Sequence, residues 1–164
     1  LRGLDIPLVY NCGGYESTTT LKLLEGIVDI YMPDFKFWDN QWGKKLCGVS
    51  DYRDRASDAI REMHRQVGDL DIEEDGIARR GLLVRHLVMP GNAAGTAEVM
   101  KFLSREISPN TYVNIMDQYR PCHEAPGDEC IGRRITGEEY RKALEAARAA
   151  GLTRLDGPRR LPVW

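Results

Sequence analysis

The sequence has 164 residues, 42% of them hydrophobic and 29% charged, which is the balance of an ordinary soluble globular domain. Its formal net charge of −2 provides no long-range attraction to nucleic acid or to an anionic membrane. No apolar run approaches the roughly 18 residues that span a bilayer, and no signal-peptide pattern is present. We therefore expect a cytoplasmic protein with neither nucleic acid nor membrane as a partner.

The first part of the chain predicts a β-α-β unit. Residues 7–11 form a short apolar strand, which the pair Gly13-Gly14 ends in a tight turn or a close approach to a ligand. Residues 16–26 follow as a helix, and residues 28–35 as a buried strand. A helix between two strands makes the strands parallel. The first residue is Leu1 rather than Met, which favours a piece of a longer protein.

The rest of the chain repeats this alternation. Residues 37–50 are predicted to be a loop, and Ser50 caps a helix that ends near residue 67. The Asp75-Gly76 pair indicates a small β-ribbon between residues 70–72 and 76–78. The later elements are a strand over 82–89, a helix over 96–107, a strand over 112–116, a loop over 121–134 and a helix that Thr136 and Glu139 open as a capping box.

The predicted fold is α/β, with four parallel strands, crossover helices and the ribbon. This is about half of an eight-unit (β/α) barrel or a small open sheet. We expect one domain over residues 1–157 and an irregular tail over 158–164. In parallel α/β folds the segments that follow the strands gather at one end, where ligands bind.

Charged side chains stand at that end. Asp34 and Lys36 are two residues apart, so they share one face of their strand. Buried charges are costly unless they serve each other or a ligand, so the pair is either a simple ion pair or part of a site. Arg85 lies inside the next buried strand, where it either meets an anion or, on an edge strand, reaches water.

The four cysteines are Cys12, Cys47, Cys122 and Cys130. Their spacing resembles no compact disulfide framework of secreted proteins, so we expect reduced thiols. Cys122, His123 and Cys130 form one loose group, whereas structural zinc sites usually supply two closely spaced ligand pairs. The pattern therefore does not favour zinc.

Four blocks of the sequence resemble radical S-adenosylmethionine (SAM) proteins of the branch related to pyruvate formate-lyase activating enzyme: YNCGGYE (10–16), VDIYMPDFK (28–36), GLLVRHLVMPG (81–91) and YVNIMDQYRPCH (112–123). The resemblance covers nearly the whole chain but only the C-terminal half of such a protein. It implies a partial (β/α) barrel. It also implies a [4Fe–4S] cluster whose reduction cleaves bound SAM to a 5′-deoxyadenosyl radical, and a glycyl radical enzyme as protein substrate.

The resemblance also implies roles for individual residues. Lys36 and Arg85 would contact SAM, as would Arg120 or, three residues further on, His123. Asn11 and Cys12 stand where activating enzymes carry an Asp-Thr pair which, with Met32 and Asp34, surrounds a monovalent cation beside the SAM carboxylate. Asn11 replaces the aspartate of that pair, which removes one negative charge from the cation site.

Two parts of the family pattern are missing from the sequence. No C-x3-C-x2-C motif occurs, and the Gly-Gly-Glu segment that grips the SAM amino group is absent as well. We therefore expect that this chain alone neither binds the cluster nor cleaves SAM. Two functions follow as alternatives: the SAM-carboxylate side of a radical SAM oxidoreductase, or a non-catalytic half-barrel that binds a partner or a small anion.

Overall fold

A computed structural model describes residue 3 and residues 6–156 of the chain. The predicted irregular tail, 158–164, lies outside the described residues. Within the described ranges the strands are β1 (Val9–Cys12), β2 (Ile30–Pro33), β3 (Asp71–Ile72), β4 (Ala78–Leu87), β5 (Tyr112–Met116) and β6 (Leu155–Asp156). The helices are α1 (Thr18–Leu23), α2 (Asn40–Cys47), α3 (Tyr52–Val67), α4 (Thr96–Phe102) and α5 (Gly137–Ala149).

The strands form a mostly parallel sheet in the order β1-β2-β4-β5-β6, and every neighbouring pair along this path is parallel. The predicted α/β class with parallel strands is confirmed. The described sheet contains one more parallel strand than expected, because β6 pairs with β5 where the sequence suggested only the approach to an irregular tail.

The predicted ribbon is present, since β3 pairs antiparallel with the start of β4. Its second strand continues directly into the parallel sheet, so β4 is a single strand of 10 residues. The predicted helix over 96–107 is also present, as α4 followed by a π-helical turn, Leu103–Ile107. The capping box is confirmed at the start of α5, where Thr136 and Glu139 satisfy each other's backbone N–H groups.

Two local predictions are wrong. The segment expected to be a loop between residues 37 and 50 contains α2, which Asp39 caps by accepting a hydrogen bond from the backbone N–H of Gln41 at 2.8 Å. The residue that precedes α3 is Asp51 rather than Ser50, and it makes no side-chain capping bond. Cap residues fix these boundaries, and they are the part of a helix that periodicity locates least well.

One face of the sheet carries the hydrophobic core. Alternate residues of the strands are buried there in one cluster with residues of α3 and α4; the sheet residues are Tyr31, Phe35, Leu82, Val84, Val88, Val113 and Ile115. Most residues of the opposite face are only partly buried: Met32, Asp34, Lys36, Leu83, Arg85, Leu87, Tyr112, Asn114 and Met116. Ile30 and Met89 on the same face are buried. Within the described ranges, none of the helices combines the length and the apolar composition that a membrane span requires.

Candidate functional site

Asp34 and Arg85 face each other across neighbouring parallel strands. Asp34 directly follows β2, and a β-bridge pairs it with Arg85 of β4. Register partners in a sheet present their side chains on the same face, so both project from the half-exposed face near the carboxyl ends of the strands. Lys36, two residues after Asp34, projects from the same face.

The three charged groups form one cluster around the Asp34 carboxylate. Nε and Nη2 of Arg85 lie 2.8 and 2.7 Å from Oδ1 of Asp34, and Nζ of Lys36 donates to Oδ2. The side chains of Asp34, Arg85 and Lys36 are 18%, 27% and 36% exposed. Because the cluster is partly withdrawn from water, the attraction between these charges is screened less than in an exposed ion pair.

A cavity of about 200 Å³ opens beside this cluster. It lies at the carboxyl ends of β2, β4 and β5, and its lining residues are Asp34, Lys36, Phe37, Arg85, Leu87, Met89, Met116 and Gln118. Apolar walls with a few convergent charges are the usual composition of a small-molecule site. The structure brings Asp34, Lys36 and Arg85 together, and the resemblance had implied that Lys36 and Arg85 share one ligand. Strand alternation also puts Met89 on the same face as Arg85, and both residues line the cavity.

The backbone that carries Asp34 and Lys36 is held by a residue that the sequence did not reveal. The phenol oxygen of Tyr52, at the start of α3, accepts a hydrogen bond from the Lys36 N–H and lies 3.2 Å from the carbonyl oxygens of Gly13 and Asp34. Gly14 packs against the same carbonyl of Asp34 with a positive φ of 81°. The Gly-Gly turn was the only sequence signal for this close approach.

The residues expected around a monovalent cation are only partly brought together. Asn11 and Met32 are register partners, so they share the face of Asp34. Cys12 pairs with Pro33 on the opposite face and meets Asp34 through its backbone, where its carbonyl accepts the Asp34 N–H at 3.0 Å. Both carboxylate oxygens of Asp34 already contact cationic side chains, so a metal cation would have to share or replace Lys36. The cation site stays a prediction.

Arg120 and His123 are not among the residues that contact the cluster. Both are exposed, and neither lines the cavity. The His123 side chain is 88% exposed, and its nearest ionic partner is Glu124 at 3.8 Å. Their proposed contacts with SAM stay predictions.

The cysteines do not form a metal centre within the described ranges. All four are free thiols, and the described residues contain no group of three or more His, Cys, Asp or Glu side chains that could hold a metal ion. Burial raises the pKa of Cys12 to about 11, which keeps this thiol protonated at neutral pH. These residues do not fit a [4Fe–4S] cluster, which requires convergent thiolates.

The chain resembles one curated protein, which is itself described as uncharacterized. It is 37% identical over 144 residues to this protein of Methanocaldococcus jannaschii, and the match covers 87% of the present chain and 38% of the relative. The chain thus spans well under half the length of that relative. No family model matches the sequence, and no solved structure matches it either.

Proposed function

We propose that this chain forms the SAM-carboxylate side of a radical SAM iron–sulfur oxidoreductase related to pyruvate formate-lyase activating enzyme, with the partial (β/α) barrel fold of that family. The observation that supports the proposal is the convergence of Lys36 and Arg85 at the carboxyl ends of neighbouring parallel strands, beside a cavity with apolar walls. Two cations that contact one internal carboxylate retain a net positive charge, which suits the carboxylate of an amino-acid ligand.

The size of the cavity limits what this chain binds. Sites for drug-sized ligands usually enclose about 300–1,000 Å³, whereas this cavity measures about 200 Å³. It suits the amino-acid end of SAM rather than the whole molecule. The remainder of SAM would lie over the half-exposed face of the sheet.

The chain's own chemistry in this proposal is binding and orientation. Lys36 and Arg85 would hold the SAM carboxylate, and Tyr52 would keep the backbone of Lys36 in place. The [4Fe–4S] cluster, when present, supplies the electron that cleaves SAM, but the cysteines of this chain do not fit it. We therefore assign no catalytic step to these residues. A glycyl radical enzyme as protein substrate is likewise part of the proposal, with no residue assigned to it.

One observation favours a second candidate function, a non-catalytic half-barrel that binds a small anion or a partner. The charged cavity offers Lys36 and Arg85 to an anion, whereas these 164 residues contain no C-x3-C-x2-C motif. Anion binding at Lys36 and Arg85 is common to both candidates. They differ in whether the ligand is SAM.

Calorimetric titration of SAM into the chain tests the proposal. Each of Lys36→Ala and Arg85→Ala removes a charge-assisted contact worth roughly 1.5–3 kcal/mol and should weaken SAM binding accordingly. Lys45→Ala is the matched control, because this lysine pairs with Asp128 outside the cavity. SAM binding that is undetectable in the unaltered chain, or equal in all variants, would refute the proposal.

A further inference from the structure

The charges around the cavity do not balance. Its lining contains one carboxylate, Asp34, and two cations, Lys36 and Arg85; the other lining residues are neutral, namely Phe37, Leu87, Met89, Met116 and Gln118. Within the described part of the chain, the cavity therefore has a formal charge of +1. An uncompensated charge in a partly buried site is unfavourable, so the site is prepared for a ligand that restores the balance.

The contacts leave room for such a ligand without removing Asp34. Arg85 directs both Nε and Nη2 to a single oxygen of Asp34, so its Nη1 remains directed elsewhere. Lys36 uses one of its three N–H donors on the other oxygen. Asp34 is the only acceptor that either side chain contacts within the described residues. A second carboxylate can therefore contact both cations while Asp34 stays in place.

Charge counting then separates the classes of ligand. One monoanionic group gives two anions against two cations, which is neutral. A neutral ligand leaves the site at +1. A dianionic group, such as a sulfate or a phosphate monoester, leaves it at −1 with two negative charges close to Asp34. Negative charges in contact with the same two cations repel each other strongly in a partly buried site.

We propose that Asp34 is the residue that determines the charge specificity of this cavity: by contacting both Lys36 and Arg85, it restricts the site to an anionic group with a single negative charge, such as a carboxylate, and excludes dianionic groups. The inference rests on the proposed function only in locating the ligand's anionic group at this site. It extends that function, because the same two cations without Asp34 would form a site for phosphate esters.

Titration with small anions tests this inference without SAM. The Nε–H signal of Arg85 in the NMR spectrum of the ¹⁵N-labelled chain reports binding, and its loss in Arg85→Lys assigns it. The titrants are sodium acetate and sodium sulfate. Sodium chloride at equal ionic strength is the reference. In the unaltered chain we expect acetate to shift this signal at lower concentration than sulfate. In Asp34→Asn we expect the order to reverse, with sulfate affinity increased by about tenfold or more.

Three further variants keep the test decisive. Asp58→Asn makes the same change in net charge on the exposed surface of α3, where Asp58 pairs with Arg61, and should leave the order of affinities unchanged. Asp34→Glu retains the charge and should retain the preference for acetate. Lys36→Met gives the cavity a charge of zero and should abolish the response to both anions, which tests the charge count even where Asp34→Asn does not fold.

The possible outcomes separate this inference from the proposed function. The role of Asp34 is overturned, even where SAM binds, if Asp34→Asn still prefers acetate. It is also overturned if Asp58→Asn reverses the preference as strongly as Asp34→Asn does. A reversal confined to Asp34→Asn supports it even where SAM does not bind, and the proposed function then fails alone.

Discussion

The phenol oxygen of Tyr52 accepts a hydrogen bond from the backbone N–H of Lys36, with 2.9 Å between the two atoms. Its own O–H lies within reach of the carbonyl oxygens of Gly13 and Asp34, so the first residue of α3 joins the ends of β1 and β2. Tyr52 is 2% exposed, and this burial raises the pKa of its phenol above the ordinary value. The hydroxyl therefore remains a donor at neutral pH.

Replacing Tyr52 by Phe should destabilise the fold and weaken the site together. The variant removes the partner of the Lys36 N–H and of a partly buried carbonyl, which costs about 1–3 kcal/mol of unfolding free energy. Because the Lys36 backbone is then less constrained, SAM affinity should also fall. Urea unfolding and calorimetry measure the two effects. Tyr15→Phe is the control, since its exposed hydroxyl contacts only Asp51, and it should change stability by less than about 0.5 kcal/mol. Equal stability of the two variants would contradict the role of Tyr52.

Gly14 should tolerate substitution far less well than its neighbour Gly13. A Cβ at Gly14 would lie 2.0 Å from the carbonyl oxygen of Asp34, and the residue has a φ of +81°, whereas a Cβ at Gly13 meets no atom within 4 Å. A left-handed backbone alone costs an alanine about 1–2 kcal/mol. We expect Gly14→Ala to lose at least about 2 kcal/mol of unfolding free energy and Gly13→Ala to lose little. Comparable losses in urea unfolding would show that the close approach is not required.

His86 should make the stability of the fold depend on pH. Its Nδ1–H donates to the Phe35 carbonyl at 2.7 Å, and its Nε2 accepts from the Thr96 hydroxyl at 2.9 Å. Complete burial lowers the pKa of His86 to about 4, so the folded chain keeps it neutral. In the unfolded chain the same side chain is protonated below its ordinary pKa of about 6.5.

The contribution of His86 to stability should therefore be constant above about pH 6.5 and fall as the pH decreases toward 4, because the unfolded chain binds the extra proton. The slope reaches at most about 1.4 kcal/mol per pH unit. Urea unfolding between about pH 7 and pH 5 measures it. His86→Gln should be less stable but lack this slope. His123→Gln should keep the slope, because that side chain is 88% exposed. A slope that persists in His86→Gln would assign the effect to another group.

Strand alternation made the centre of this site predictable. The alternation of residues 28–36 put Asp34 and Lys36 on one face of their strand, and that of residues 82–89 put Arg85 on one face of its own strand. The resemblance then implied that Lys36 and Arg85 contact the same ligand. The capping box at Thr136 was equally predictable, because its partner Glu139 is only three residues away in the sequence. Local patterns of this kind are independent of the rest of the chain.

Features that depend on distant contacts were not predictable. Tyr52 contacts the backbone of Gly13 and Lys36, which lie 39 and 16 residues away in the chain. No local sequence pattern at the start of α3 indicates these contacts. The two-residue strand β6 exists only through its pairing with β5. Helix α2 is a different case, because its signals are local: Asp39 before it and the left-handed Gly48 after it are recognisable caps.

The central claim is that Lys36 and Arg85 bind the carboxylate of SAM, and decarboxylated SAM tests it most directly. This analogue keeps the adenosine and the sulfonium but lacks the carboxylate, so the unaltered chain should bind SAM at least about tenfold more tightly in a calorimetric titration. In Lys36→Ala and Arg85→Ala the difference between the two ligands should shrink, while Lys45→Ala should preserve it. Equal affinity of the unaltered chain for SAM and decarboxylated SAM would contradict the account.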